Sequence, residues 1–158
     1  MISLVNDTIS KEDIDSLIDW LKKYPRLTKG PVTIELEEKW SNWLGRKHTV
    51  FVNSGSSGIL LMLSTLLEEK QISKYNKVVV PSLAWATDLS PVVQLGLTPI
   101  LCDINLKDLS VDLEHLEKIF RYEQPKALIL VSVLGLVPDM TSIVELCDRY
   151  GVILLEDV

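Results

Sequence analysis

The run Asn53-Ser54-Gly55-Ser56-Ser57-Gly58 stands between one apolar stretch, residues 48–52, and another that begins at Ile59. A strand that breaks into glycine and serine and then starts a helix aims several free backbone N–H groups at one point. The helix dipole adds partial positive charge there, so the turn suits a phosphate. Glycine omits the Cβ that would hold an anion away, and serine hydroxyls add donors. The same kind of turn also joins strand to helix in many folds without a ligand, so its companions decide.

Two further groups are expected at the same edge of the structure. Pro81 through Thr87 follows an apolar strand at 77–80 and carries Trp85, whose ring face can cover a flat aromatic ligand. A core tryptophan at a helix start is the competing explanation. Asp157, with Glu156 beside it, follows the strand at 152–155. A carboxylate there can pair with a ligand, cap a following helix or bind a metal. A phosphate cradle, a stacking aromatic and a lone carboxylate form a coherent set for pyridoxal 5'-phosphate (PLP). That cofactor has a phosphate, a flat pyridine ring and a ring nitrogen that a carboxylate keeps protonated.

The elements that position these residues follow from hydrophobic periodicity. Ser10 with Asp13 reads as a capping box, and Ile14, Leu17, Ile18 and Leu21 form a helical stripe that Pro25 closes. A second amphipathic helix carries Leu36, Trp40, Trp43 and Leu44 and stops at Gly45; its tryptophans are expected in a core or interface. From His48 onward short apolar strands at 48–52, 77–80, 99–103, 127–133 and 152–155 alternate with helical patterns near 57–69, 84–95, 112–121 and 139–150. Strands rich in Val, Ile and Leu are buried on both faces, and intervening helices imply parallel crossovers. The expected fold is α/β: a mostly parallel open sheet with flanking helices, in a domain over residues 46–158 preceded by a helical segment over 1–45.

Composition narrows the partners. The 158 residues suffice for one domain with a real core, and a 47% hydrophobic content fits a sheet covered on both sides. A net charge of −6 argues against a nucleic-acid backbone as partner. Cys102 and Cys147 read as buried free thiols of a reducing compartment, and the isolated His48 and His115 predict no metal site. The first ten residues lack a signal-peptide pattern, and the apolar runs are too short to span a membrane, so a cytoplasmic location is expected. Neither GxGxxG nor GxxxxGK[ST] follows the first strand, which disfavours a Rossmann or P-loop nucleotide module. Because the chain stops at Glu156-Asp157-Val158, where a parallel sheet holds its ligand, it is expected to be truncated.

In order along residues 28–158, the sequence resembles the DegT/DnrJ/StrS family of PLP-dependent sugar-nucleotide aminotransferases. The segments that carry the resemblance are Gly30-Pro31 with Glu37 and Trp40, Asn53 through Ser57, Val78 through Pro81 with Trp85-Ala86-Thr87, Gly96 through Ile104, Gly135 through Met140, and Glu156-Asp157. The resemblance implies the large domain of PLP fold type I. It implies that Gly55 and Ser56, helped by Ser57, bind the phosphate, that Trp85 stacks on the ring and that Asp157 pairs with its nitrogen. Ser132 and Leu136 depart from the family pattern, which has histidine and glutamine near that turn. The Schiff-base lysine of the family is expected beyond Val158, so no catalytic residue lies in this stretch and it is expected to be inactive alone. The implied activity is amination of a nucleotide-linked keto-deoxysugar by a homodimer, with glutamate as amino donor. The alternative is a deoxysugar 3-dehydratase using pyridoxamine phosphate, with histidine for lysine, a branch that the doubled Ser56-Ser57 also resembles. A non-catalytic piece is a further alternative.

Overall fold

The computed structural model describes residues 6–158; the first five, part of the expected helical segment and of the stretch read for a signal peptide, lie outside the described residues. The chain divides into two compact units, Met1–Phe51 and Val52–Val158.

The first unit holds α1 (Lys11–Leu21) and α2 (Pro31–Leu44). Ser10 caps α1 through its hydroxyl, and Asp13 returns the bond by accepting the Ser10 N–H at 2.9 Å, the expected capping box. Gly30 and Pro31 open α2, and Gly45 closes it at φ 64°, a left-handed geometry that glycine adopts without strain. Glu37 then ties the unit together. Its carboxylate accepts both contacts from Lys29 Nζ, at 2.8 and 2.7 Å, and the Phe51 N–H at 3.0 Å. The Lys29 ammonium, then the Phe51 amide, hold this carboxyl below its ordinary range. The stripe of α1 stays 41–50% exposed, and Trp40 and Trp43 lie against each other, centroids 5.0 Å apart, on an exposed face. Of the two expected places for these tryptophans, a core or an interface, a core is not what they enter among the described residues.

The second unit is a parallel sheet of β1 (Lys77–Pro81), β2 (Thr98–Cys102), β3 (Ala127–Val131) and β4 (Ile153–Asp157), in the order β2-β1-β3-β4. Four helices alternate with these strands: α3 (Gly55–Glu68), α4 (Ala86–Gln94), α5 (Leu113–Glu123) and α6 (Met140–Tyr150). The predicted strand at 48–52 is absent. A β-strand exists only by pairing, and this segment has no ladder partner among the described residues; Val50 and Phe51 are 61% exposed. The strand expected to reach 133 ends at Val131, because a short 3₁₀ turn at Val133–Gly135 takes over.

Side chains alternate across the sheet and build two cores. On one face Val78 and Val80 of β1 and Ala127, Ile129 and Val131 of β3 pack with Ile59, Leu63 and Leu66 of α3 and Val92 of α4. On the other, Val79, Leu128 and Leu130 pack with Leu116, Ile119 and Phe120 of α5 and Ile143, Leu146 and Cys147 of α6. Burying each such aliphatic or aromatic side chain contributes about 1.5–3 kcal/mol, which is why the continuous Val/Ile/Leu runs form the central strands. Pro99 is accommodated because β2 is an edge strand.

Candidate functional site

Strand order places the site. From β1 the chain crosses to β2 on one side, then returns past β1 to β3 and on to β4. Such a reversal sends the loops after β1 and β3 apart and opens a crevice outside their carboxyl ends. The helix α4 that links β1 to β2 shares a face with α3, while α5 and α6 cover the other.

At the start of α3, Ser54 has extended backbone (φ −164°, ψ 159°), and its Oγ accepts the Ser57 N–H at 3.2 Å. The Gly58 N–H donates to the Ser54 carbonyl at 3.1 Å. That leaves the N–H groups of Gly55 and Ser56 without an acceptor among the described residues. A Cβ placed on Gly55 would meet nothing within 4 Å, so the space in front of these donors is open. The first turn of α3 carries no acidic side chain, so nothing offsets the positive end of its dipole.

Trp85 stands at the cap of α4, just past β1, and is 76% exposed, which sets aside the core-tryptophan explanation. Its N–H donates to Asp88 Oδ2 at 3.0 Å. Asp157 is the last residue of β4, within the strand rather than after it; it lies opposite Val131, and its carbonyl accepts the Ser132 N–H at 3.0 Å. Ile153 and Leu155 pack on the α3–α4 face, so Asp157, two residues on, belongs to that face as well. The three elements that carry Gly55, Ser56, Ser57, Trp85 and Asp157 therefore share one sheet face at its carboxyl edge.

Asp88 is the residue that sequence reasoning missed. It is only 1% exposed, and burial, followed by the charge of Asp157, pushes its carboxyl up to about 6. As the third residue of α4 its side chain accepts the amide of the N-cap residue Trp85, a local role, whereas Asp157 belongs to β4, far along the chain.

Elsewhere the chemistry is quiet. Burial raises the thiols of Cys102 to about 12 and Cys147 to about 11, so both are buried and inert. The His115 Nδ1 accepts the Asp103 N–H at 3.0 Å, and no group of metal-binding side chains occurs among the described residues. Lys77 pairs with Glu123 at 2.7 Å, at the amino end of β1 and away from the crevice. Ser132 and Leu136, the two departures, flank the turn after β3, where Leu134 takes a positive φ of 55°. No helix among the described residues is long and apolar enough to cross a membrane.

Solved structures with this fold are PLP fold type I enzymes, and they cover the chain throughout. A GDP-4-keto-6-deoxymannose-3-dehydratase with a trapped PLP-glutamate geminal diamine matches 100% of this chain and 41% of its own, with a TM-score of 0.90 at 27% identity. The Escherichia coli GDP-4-keto-6-deoxy-D-mannose-3-dehydratase with bound hydrated PLP matches 99% of this chain and 39% of its own, with a TM-score of 0.82 at 28% identity. Residues 7–158 match the DegT/DnrJ/EryC1/StrS aminotransferase family, and the chain belongs to it. Among curated relatives, the GDP-4-keto-6-deoxy-D-mannose 3-dehydratase of Yersinia pseudotuberculosis is 32% identical over 132 residues, 82% of this chain and 33% of that protein. The chain thus spans about a third of that relative's length. The family consists of PLP-dependent enzymes that modify sugars, and the residues present here fit the cofactor. Two unpartnered N–H groups begin α3, an exposed indole follows β1, and a carboxylate ends β4, one strand removed from β1 across β3.

Proposed function

We propose that this chain forms the cofactor-binding part of a PLP-dependent enzyme acting on a nucleotide-linked keto-deoxysugar. The observation that carries the reading is the pair of free N–H groups at Gly55 and Ser56, on the sheet face that also holds Asp157 and beside the exposed Trp85. The Gly55 and Ser56 amides, with the Ser57 hydroxyl close by, bind the phosphate. The Trp85 indole covers one face of the pyridine ring. Asp157 accepts the proton-bearing ring nitrogen and keeps that proton in place. When bound, PLP supplies an electron sink for the carbanion formed on the substrate.

Two reactions fit this binding half, since both need the same phosphate, ring and nitrogen contacts. The 32% identity to a 3-dehydratase, with the Ser56-Ser57 doublet, favours elimination of the sugar 3-hydroxyl. Amination with glutamate, which sequence reasoning ranked first as the commoner family activity, is supported by the family's description. The intact protein, expressed from its complete coding sequence, is incubated with PLP, glutamate and GDP-4-keto-6-deoxymannose. A 3-deoxy product supports the dehydratase and an amino sugar the transferase. Absence of PLP binding overturns both.

A further inference from the structure

Asp88 sits in the first turn of α4 with one carboxyl oxygen, Oδ2, held by the Trp85 amide at 3.0 Å. Its other oxygen, Oδ1, is buried without a hydrogen-bond partner. A buried polar atom left in that condition is costly and calls for an explanation. Asp157 ends β4 on the same sheet face, and its carboxylate is the neighbouring charge that this carboxyl feels. Two carboxylates so placed cannot both ionise cheaply, but one retained proton turns their repulsion into a hydrogen bond.

We propose that Asp88 is the positioning residue for Asp157: anchored on the Trp85 amide, it shares one proton with the Asp157 carboxyl through Oδ1. The other groups around it do not compete. Of the elements packed on α4, β2 has no charged side chain, α3 has Glu68 at its far end, and β1 has Lys77, paired with Glu123 at the amino edge. Glu156 points to the opposite face of β4 from Asp157. Asp157 is the one charge that raises Asp88.

The consequence for the cofactor rests on the function proposed above, while the carboxyl pair does not. A proton donated to Asp157 stabilises it as a carboxylate, so the ring nitrogen keeps its own proton. The shared proton also links the ring partner to the amide of the stacking residue, through Asp157, Asp88 and Trp85. Both contacts to the pyridine are thereby set by one buried side chain.

The test has two arms, both on the intact protein. In the apo form, carbon-detected NMR follows the side-chain carboxyls through pH. One is expected to titrate near 6, to vanish in Asp88→Asn and to move toward the ordinary carboxylate range in Asp157→Asn. In the second arm PLP affinity is measured by equilibrium titration below pH 6, where the shared proton is retained. Asp88→Asn still accepts from Trp85 and donates to Asp157, so it should bind within about threefold of wild type, whereas Asp88→Leu should weaken binding about tenfold or more. An Asp88 titration that ignores Asp157→Asn overturns the proposal, as does PLP binding unchanged in a folded Asp88→Leu. If Asp88→Leu does not fold, the two asparagine variants decide through their titrations. Wild-type protein with the coupled titration but no PLP binding overturns the cofactor reading and leaves the pair standing.

Discussion

Gly55→Pro removes one backbone donor from the start of α3 and asks nothing of the helix in return. Gly55 is the first helical residue, where proline is well tolerated, since its fixed φ suits a helix and its missing N–H bonds to nothing. The preceding Ser54 is already extended, as a residue before proline must be, and the added Cβ has open space. Stability should therefore stay within about 0.5 kcal/mol of wild type. Cofactor binding should not. A hydrogen bond to a charged group contributes about 1.5–3 kcal/mol, which corresponds to PLP affinity about 10-fold to 150-fold weaker. Gly55→Ala is the control, because it keeps the N–H and adds the same Cβ that proline adds, so the difference between the two variants reads the lost donor. The assay is titration of the intact apo protein with PLP, followed by cofactor absorbance, with far-UV circular dichroism to establish that each variant is folded. A folded Gly55→Pro that binds PLP as tightly as Gly55→Ala would refute the assignment of this helix start as the phosphate cradle.

Other expectations follow from the same structure. Trp85→Ala should leave the fold intact, since the ring is 76% exposed, and weaken PLP binding about 2-fold to 13-fold in the same titration. Asp88 rises from 3.8 to about 6, so its contribution to stability is full below pH 3.8 and is lost as pH climbs through 6, about 3 kcal/mol in all. Urea unfolding should show wild type losing about 1.5 kcal/mol relative to Asp88→Asn between pH 5 and pH 8, and parallel curves would contradict the raised value. Phe120→Ala, at 1% exposure between α5 and α6, should cost about 3–5 kcal/mol in the same assay. Glu37→Gln should speed hydrogen exchange at the Phe51 amide by releasing Lys29; unchanged exchange would show that the clamp is not needed.

The sheet was legible in the sequence because each of its four strands carries a short run of Val, Ile or Leu and helices of ordinary period separate them. The caps at Ser10 and Gly45 were legible for the same local reason. Residues 48–52 carry the composition of a strand, yet strand formation depends on a neighbour, and no local pattern reports one. Tryptophan is a similar case. Trp40, Trp43 and Trp85 share a residue type that favours burial, and each is exposed here because its surroundings along this chain do not close over it. The turn with its free N–H groups could be found because those donors are consecutive residues. Asp88 could not, because it sits on α4 and the charge that gives it meaning belongs to Asp157 on β4, about seventy residues on.

The strand order carries a consequence for how the molecule is made. β1 pairs with β3 through Val78 and Ala127, about fifty residues apart, although β2 is synthesised between them. While the chain emerges from the ribosome, β1 and β2 can pair early, but the inner edge of β1 stays open until Ala127–Val131 arrives. Long loops closed late make such sheets slow to complete, and the fully buried Val78, Val79 and Val80 wait uncovered in the meantime. Expression of this protein should therefore depend on chaperone capacity during translation, more than its finished core would suggest.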